Sequence, residues 1–412
     1  MKSAMRKQHY VFFLRDILPQ PLAHIVQMIH LANAAANLGH SAVLVYLDRS
    51  LQAWNPFKLI SPFHPRKPDE NLIDYYHIES NLRVVPLPMP WPIDYVNNSL
   101  LNSSTITCKY YLPFHLLHNT KMVHSRDWNF IKAAVKNGIP AIYERDHYEN
   151  KLYEPEIVNN PLFKMTVTVA DTIKADLIKN GMPPQKVIKL HNAFNRLFFT
   201  RHNQAALEWR RKLLVNGHKH LVVYSGALYP FKGIDLLLQV AQKMPQVLFA
   251  FAGGPDEQIQ AYQNKVRETG VSNVTLLGYL PHTDLASLLQ GADVLVYPHL
   301  MGEAANTTSP MKIFDYIAAG KPIVATKIPT LQEFQSSPLV AGWCEPNDPV
   351  GFTQSLQQVL STYPQWREDH INDTDLVQQF SWENRIVQTL NSVNSLESIV
   401  TSGNNFCKSP NS

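Results

Sequence analysis

The run Ser309-Pro310-Met311-Lys312-Ile313-Phe314-Asp315-Tyr316 sets a proline, a lysine and a carboxylate ahead of Gly320. Pro310 suits the first turn of a helix, where it has no N–H to lose. That turn leaves its amides unpaired and carries partial positive charge, so an anion is stabilised there. Met311, Lys312 and Ile313 would then offer backbone N–H groups, and Lys312 a full charge, to a phosphate, with Ser309 in the same turn. Asp315 lies deeper, within reach of ribose hydroxyls. The chemistry this suits is the binding of a nucleoside diphosphate. The other reading of the same residues is a capped amphipathic helix ending at Gly320, with Ile313, Phe314 and Ile317 as its core face.

Three further segments repeat a pattern of buried strand followed by glycine. Leu221 to Ser225 reads as a strand ending at Gly226, followed by Lys232 just before a helix from Ile234 to Lys243. Val247 to Ala252 reads as a second strand, closed by Gly253 and Gly254, glycines that permit close backbone approach to a ligand. Val274 to Leu277 reads as a third, leading through Gly278, Tyr279 and Leu280 to a helix from Asp284 to Gln290. Strand ends of this kind are where open α/β sheets bind ligands.

These residues resemble the retaining, nucleotide-sugar-dependent glycosyltransferases of family 4, over most of residues 219 to 390. The run from Ser309 is similar to the variant motif Ser-Pro-x-Lys-x-Phe-acid-Tyr. The resemblance implies an α/β protein of the GT-B class: two Rossmann-like β/α/β domains facing a cleft, with a C-terminal helix crossing back to the N-domain. It implies diphosphate contacts from Gly226 and Lys232, a nucleobase clamp at the turn carrying Tyr279 and Leu280, and a ribose contact from Asp315 where a Glu is usual. Gly254, Ser309, Met311, Lys312 and Ile313 complete the expected donor site. Two departures stand out. Ala227 occupies the place of an Arg that commonly follows the strand glycine, and Thr307 the place of a Glu eight positions before the ribose acid. Charge stabilisation would then fall on Lys232, Lys312 and the helix amides.

The N-terminal half opens as β-α-β, with a strand from Tyr10 to Leu14, a helix from Ile25 to Leu38 and a strand from Ala42 to Leu47. Gly39-His40 between helix and second strand resembles the family's pattern, whereas the usual glycine pair before the helix is replaced by Leu18 to His24. Further strands are expected at Met122 to Ser125, Pro140 to Glu144 and Met165 to Ala170. The family places a His in the loop after the strand that ends at Glu144, near the reacting sugar carbon, so the resemblance implies a catalytic role for His147 beside Lys232. His24, Arg126 and Glu144 are candidates for acceptor or sugar contacts, against the alternative that each is structural. His115, His118 and His124 lack a fourth ligand with recognisable spacing, so no metal site is expected.

The expected layout is an acceptor-binding domain at 1–195, a linker at 196–218 with a solvated charged helix, a nucleotide-sugar-binding domain at 219–380, a crossing helix at 381–396 and a flexible tail at 397–412. Length and composition fit: 412 residues, 45% hydrophobic and 17% charged, suit two globular α/β units. A net charge of +4 does not point to nucleic acid. Cys108, Cys344 and Cys407 are too few and too scattered for a disulfide framework, which favours a reducing cytoplasm. No apolar run is long enough to span a membrane, and Arg15 and Asp16 interrupt the first apolar stretch, unlike a signal peptide.

The expected reaction is transfer of a sugar from a UDP- or GDP-sugar to an acceptor hydroxyl with retention of configuration, in polysaccharide or glycolipid synthesis, with no cofactor. The acceptor is expected to be a saccharide or lipid-linked, and the location cytoplasmic, with peripheral contact at the inner membrane face. An epimerase or hydrolase of the same fold, or an inactive nucleotide-sugar-binding relative, are the alternatives.

Overall fold

The structure, a computed structural model, describes residues 8–50, 56–79, 81–95, 100–302, 305, 311–335, 337–370 and 377–406. Two compact units emerge, one formed by residues 1–191 and 382–412 and the other by residues 192–381.

The first unit is built on a seven-stranded sheet of β1 (His9–Ile17), β2 (Ala42–Asp48), β3 (Arg83–Pro88), β4 (Thr120–Ser125), β5 (Ala141–Glu144), β6 (Phe163–Thr168) and β7 (Val187–Lys189), in the order β3-β2-β1-β4-β5-β6-β7. All its pairs are parallel. A parallel sheet is covered on both faces, which is why β1 runs as Tyr-Val-Phe-Phe-Leu with no polar alternation and is buried from Tyr10 to Leu14. Helix Trp128–Lys136 follows β4 because Asp127 caps it, accepting the Phe130 N–H at 3.0 Å. The C-terminal helix, Trp382–Phe406, lies on this unit, as expected of a crossing helix. Its Val393 packs with Ile142, Met165 and Val167, and Glu383 accepts from the Asn37 side chain at 2.9 Å. It continues past the expected limit at 396, and residues 407–412 lie outside the described part.

The second unit has a six-stranded parallel sheet of β8 (His220–Ser225), β9 (Val247–Ala252), β10 (Val274–Gly278), β11 (Val294–Tyr297), β12 (Ile323–Thr326) and β13 (Gly342–Cys344), in the order β10-β9-β8-β11-β12-β13. Around its first strand this repeats the order of the N-terminal sheet. Both reverse direction beside that strand, and each reversal makes a switch point of the kind where α/β sheets bind ligands. Residues 196–218 are not a separate linker. Their helix, Asn203–Leu213, packs into the second unit through Trp209, whose indole N–H donates to Ser287 Oγ at 3.1 Å, and Arg210, which pairs with Asp293 at 2.8 Å. The chain's two passages between units run side by side, the Phe194 N–H donating to Phe380 O at 3.1 Å.

Candidate functional site

At the switch point of the second sheet, the ends of β8 and β11 and the start of helix Met311–Ala319 enclose a pocket of about 230 Å³. It is lined by Ser225, Gly226 and Ala227 from the first strand end, Pro298 and His299 from the second, and Lys232, Met311 and Lys312 from the two helix approaches. Backbone contact brings these loops together. Gly226, with φ 144°, donates to Ala252 O at 2.9 Å, and Gly253 donates to Gly278 O at 2.6 Å. A Cβ on Gly253 would stand 2.6 Å from Gly226 O, so the loop pair closes only with glycine there. Gly233 is tighter still. Its φ is 77° and a Cβ would come within 1.9 Å of Pro298 O, so this glycine brings the turn Pro230–Lys232 against the exit of β11. The Leu300 N–H donates to Phe231 O at 2.9 Å across the same seam.

The helix is held from beneath by a tyrosine. Tyr316 is fully buried, and its hydroxyl accepts the Ser225 N–H at 2.7 Å, which ties the helix to the end of β8. Among the described residues the helix begins at Met311, amides of a first helical turn have no partner within the helix, and Met311 and Lys312 line the pocket. Lys232 is half-buried, and its pKa is pushed down by burial and by the neighbouring Lys312 ammonium. Among the described residues neither lysine is within ion-pair distance of a carboxylate. Two cations and a helix N-terminus therefore face one small space. Such an arrangement is stabilised by a polyanion.

Asp315 is half-buried, one turn below Met311. Burial pushes its pKa up to about 6, against the opposing pull of Lys312 and a hydrogen bond with the Asn195 backbone. Its carboxylate is thus ionised near neutral pH, able to accept from hydroxyls. Of the other residues expected here, the Ile313 side chain points into the core, leaving only its amide for a ligand. Gly254 packs on Leu228, Tyr279 is 76% exposed and Leu280 is half-buried, all outside the pocket lining. Ser309 and Thr307 lie outside the described residues.

His299 is a lining residue that sequence reading passed over. It follows β11, a short apolar strand whose end carries no glycine signal. The ring is buried, its Nδ1–H donates to Leu300 O at 2.9 Å, and burial, with Lys232 nearby, lowers its pKa. It is therefore neutral, with Nε2 as an acceptor.

The first unit's candidates sit in a different setting. Glu144 is 1% exposed and has no access to a ligand. Its Oε2 accepts from Arg385 of the C-terminal helix at 2.8 Å, and its Oε1 accepts from His124 Nε2 at 3.0 Å. Burial raises its pKa, yet Arg385 and His124 outweigh that and keep it below the ordinary carboxylate value. Tyr10, whose pKa burial raises well above normal, keeps its proton and donates to His124 Nδ1 at 2.7 Å. Arg126 is mostly buried and is engaged by Gln27 Oε1 at 2.5 Å and by the Asp146 carboxylate. His147 is 62% exposed in the loop after β5, its Nδ1 2.9 Å from Asp146 Oδ1. His24 is half-buried, 3.8 Å from Asp16. Among the described residues no group of three or more His, Cys, Asp or Glu side chains is placed to hold a metal, and no helix is long and apolar enough to cross a membrane.

Residues 219–362 match the model of "Glycosyl transferases group 1". A D-inositol 3-phosphate glycosyltransferase of Corynebacterium diphtheriae is 24% identical over 283 residues, 65% of this chain and 63% of that protein. The O-antigen chain mannosyltransferase B of Escherichia coli is 26% identical over 239 residues, 55% of this chain and 60% of its own length. The chain thus spans about six-tenths of the length of such curated relatives. Among solved structures, Anabaena HepE in complex with UDP superposes with a TM-score of 0.62 at 15% identity, covering 94% of this chain and 100% of that one. WaaG, a glycosyltransferase involved in lipopolysaccharide biosynthesis, gives a TM-score of 0.56 at 14% identity, covering 91% and 98%. The chain has the two-sheet GT-B fold shared with these solved structures, and its residues 219–362 match the group 1 glycosyl transferases.

Proposed function

We propose that this protein transfers a sugar from a nucleoside-diphosphate sugar to an acceptor hydroxyl, with retention of anomeric configuration. The observation that carries this is the pair Lys232 and Lys312, set beside the first-turn amides of helix Met311–Ala319 at a sheet switch point. Breaking a sugar–phosphate bond builds negative charge on the departing diphosphate. Fixed cations and N–H groups aimed at that charge lower the barrier, because they need not reorganise as it develops. Asp315 would take the ribose hydroxyls and His147 the reacting sugar. A uridine nucleotide is the donor best supported, since HepE is described with UDP-glucose. The acceptor is a saccharide or a lipid-linked one, in polysaccharide or glycolipid synthesis, by analogy with relatives named for O-antigen and inositol phosphate chemistry. The protein would act in the cytoplasm, with peripheral contact to the inner membrane face.

One observation favours a second reading. Ala227, which lines the pocket, supplies no charge where the family commonly has Arg, which supports a hydrolase, an epimerase or a binding-only protein. Incubation with a panel of nucleotide sugars and acceptor saccharides separates these outcomes. Transfer requires free nucleoside diphosphate and glycosylated acceptor in equal amounts. Free sugar, an altered sugar nucleotide, or binding without turnover would each overturn it in favour of one alternative.

A further inference from the structure

The loop carrying His147 is exposed, yet it is held at several points. Arg145 donates from Nε to the His147 carbonyl at 3.0 Å and from Nη2 to the Tyr148 carbonyl at 3.3 Å, and pairs with Glu149 at 3.2 Å. The ring is fixed separately, through Nδ1 and Asp146 Oδ1 at 2.9 Å. Surface side chains otherwise keep their rotamer freedom, and restricting one costs entropy that a solvated hydrogen bond barely offsets.

Asp146 is itself anchored. Arg126 clamps its carboxylate, and the other arm of that guanidinium donates to Gln27 Oε1 at 2.5 Å. Gln27 is 1% exposed, and its amide points to Glu144 Oε2 at 3.4 Å, the same oxygen that accepts from Arg385. Arg385 also donates to Leu190 O at 2.6 Å and to His191 O. A chain of polar contacts therefore runs from the C-terminal helix, through the interior of the first unit, to one exposed imidazole. Burial alone would raise the Asp146 pKa, but the His147 and Arg126 hydrogen bonds outweigh it and hold the carboxyl far below its usual range. An ionised Asp146 can only accept, so Nδ1 carries the proton and Nε2 is the ring atom left for a ligand.

We infer that Asp146, clamped by Arg126, is a positioning residue that fixes the His147 ring with Nε2 presented to the reacting sugar. This rests on the glycosyltransferase reading for its activity test, though not for the ring geometry itself. Partners that orient a metal-ligating histidine matter by about tenfold to a hundredfold, and the same scale is taken for Asp146 behind His147.

The test is a double-mutant cycle of Asp146→Ala and His147→Ala, with kcat and donor KM measured for each. Asp146→Ala should lower kcat about tenfold to a hundredfold, with donor KM and UDP affinity by calorimetry within about twofold. Asp146→Asn, which keeps an acceptor for Nδ1–H, should recover part of the loss. The double variant should be no slower than His147→Ala alone, because Asp146 acts through that ring. Wild-type turnover in Asp146→Ala, or a double variant slowed by the product of the single effects, would overturn the inference. Ring ¹⁵N shifts of His147 give a readout independent of turnover. The Nδ1–H tautomer should dominate in the wild type and give way to Nε2–H in Asp146→Ala, and an unchanged tautomer ratio would also overturn it. Absence of transfer by the wild-type protein with this tautomer shift intact would count against the proposed reaction and not against the Asp146 contact.

Discussion

The two sheets share a strand order around their first strands, and each has a switch point beside it, but charge near the two switch points is handled in opposite ways. In the first unit, Glu144 at the end of β5 is matched by Arg385, and Asp146 just beyond it by Arg126, so each buried or half-buried charge has an opposite within hydrogen-bond reach. In the second unit, Lys232 and Lys312 face each other across a pocket with no carboxylate at ion-pair distance among the described residues. One arrangement is complete from within the chain. The other is electrostatically unfinished, and an anion would complete it. A paired cluster can hold elements in place but has little capacity left for a ligand, whereas unpaired like charges weaken the fold locally and bind.

The largest effect should come from breaking the completed cluster. Arg385→Ala leaves Glu144 buried without its guanidinium partner, with only His124 and Gln27 beside it, which should lower unfolding stability by about 3 kcal/mol, read from the denaturation midpoint. A midpoint equal to wild type would mean that the pair does not hold the C-terminal helix. At the unfinished site the opposite pattern is expected. Lys232→Ala should reduce turnover by roughly a hundredfold or more, the scale of one lost transition-state charge donor. Its thermal midpoint should stay level or rise, since it relieves repulsion with Lys312. Near-normal turnover would remove Lys232 from the diphosphate site, and a large loss of stability would erase the contrast between the two switch points.

Asp315 gives smaller effects that sharpen the comparison. Asp315→Ala should weaken UDP binding about tenfold by calorimetry, the scale of a hydrogen bond to a charged group. Unchanged affinity would reject the ribose contact. Its folded-state pKa of about 6 lies above the ordinary 3.8, so the folded protein holds the extra proton more tightly. The stability this contributes is complete below about pH 4 and lost as pH rises through about 6, on the order of 3 kcal/mol. Asp315→Asn should therefore gain stability relative to wild type on moving from pH 4.5 to pH 7.5. A constant difference across that range would show that burial does not strain this carboxylate.

Much of the architecture is legible in the sequence because parallel strands buried on both faces leave uninterrupted apolar runs. Val247 to Ala252 is such a run, and its closing glycines mark where backbones approach closely. The Lys312 to Tyr316 segment is legible for a related reason, since helix starts have a local chemistry. Short strands are less visible. Val294–Tyr297 has four residues and no glycine after it, so β11 and the His299 that follows it escaped notice. The charged segment Arg210-Arg211-Lys212 reads as solvated, yet Arg210 is drawn to Asp293, more than 80 residues later, an attraction no local pattern encodes.

Sequence alone determined the helix start with its lysine, the glycines that end β8 and β9, and the acid one turn below Met311, because each depends on neighbours a few residues away. Only tertiary structure decided which charges are used. Lys232 and Lys312 are 80 positions apart and Glu144 and Arg385 are 241 apart. Glu144 sits at a strand end, just where a ligand contact would be sought, and becomes interior because the returning C-terminal helix delivers a guanidinium to it. Lys232, in the turn ahead of a helix, instead has a second cation, Lys312, brought near it by the fold.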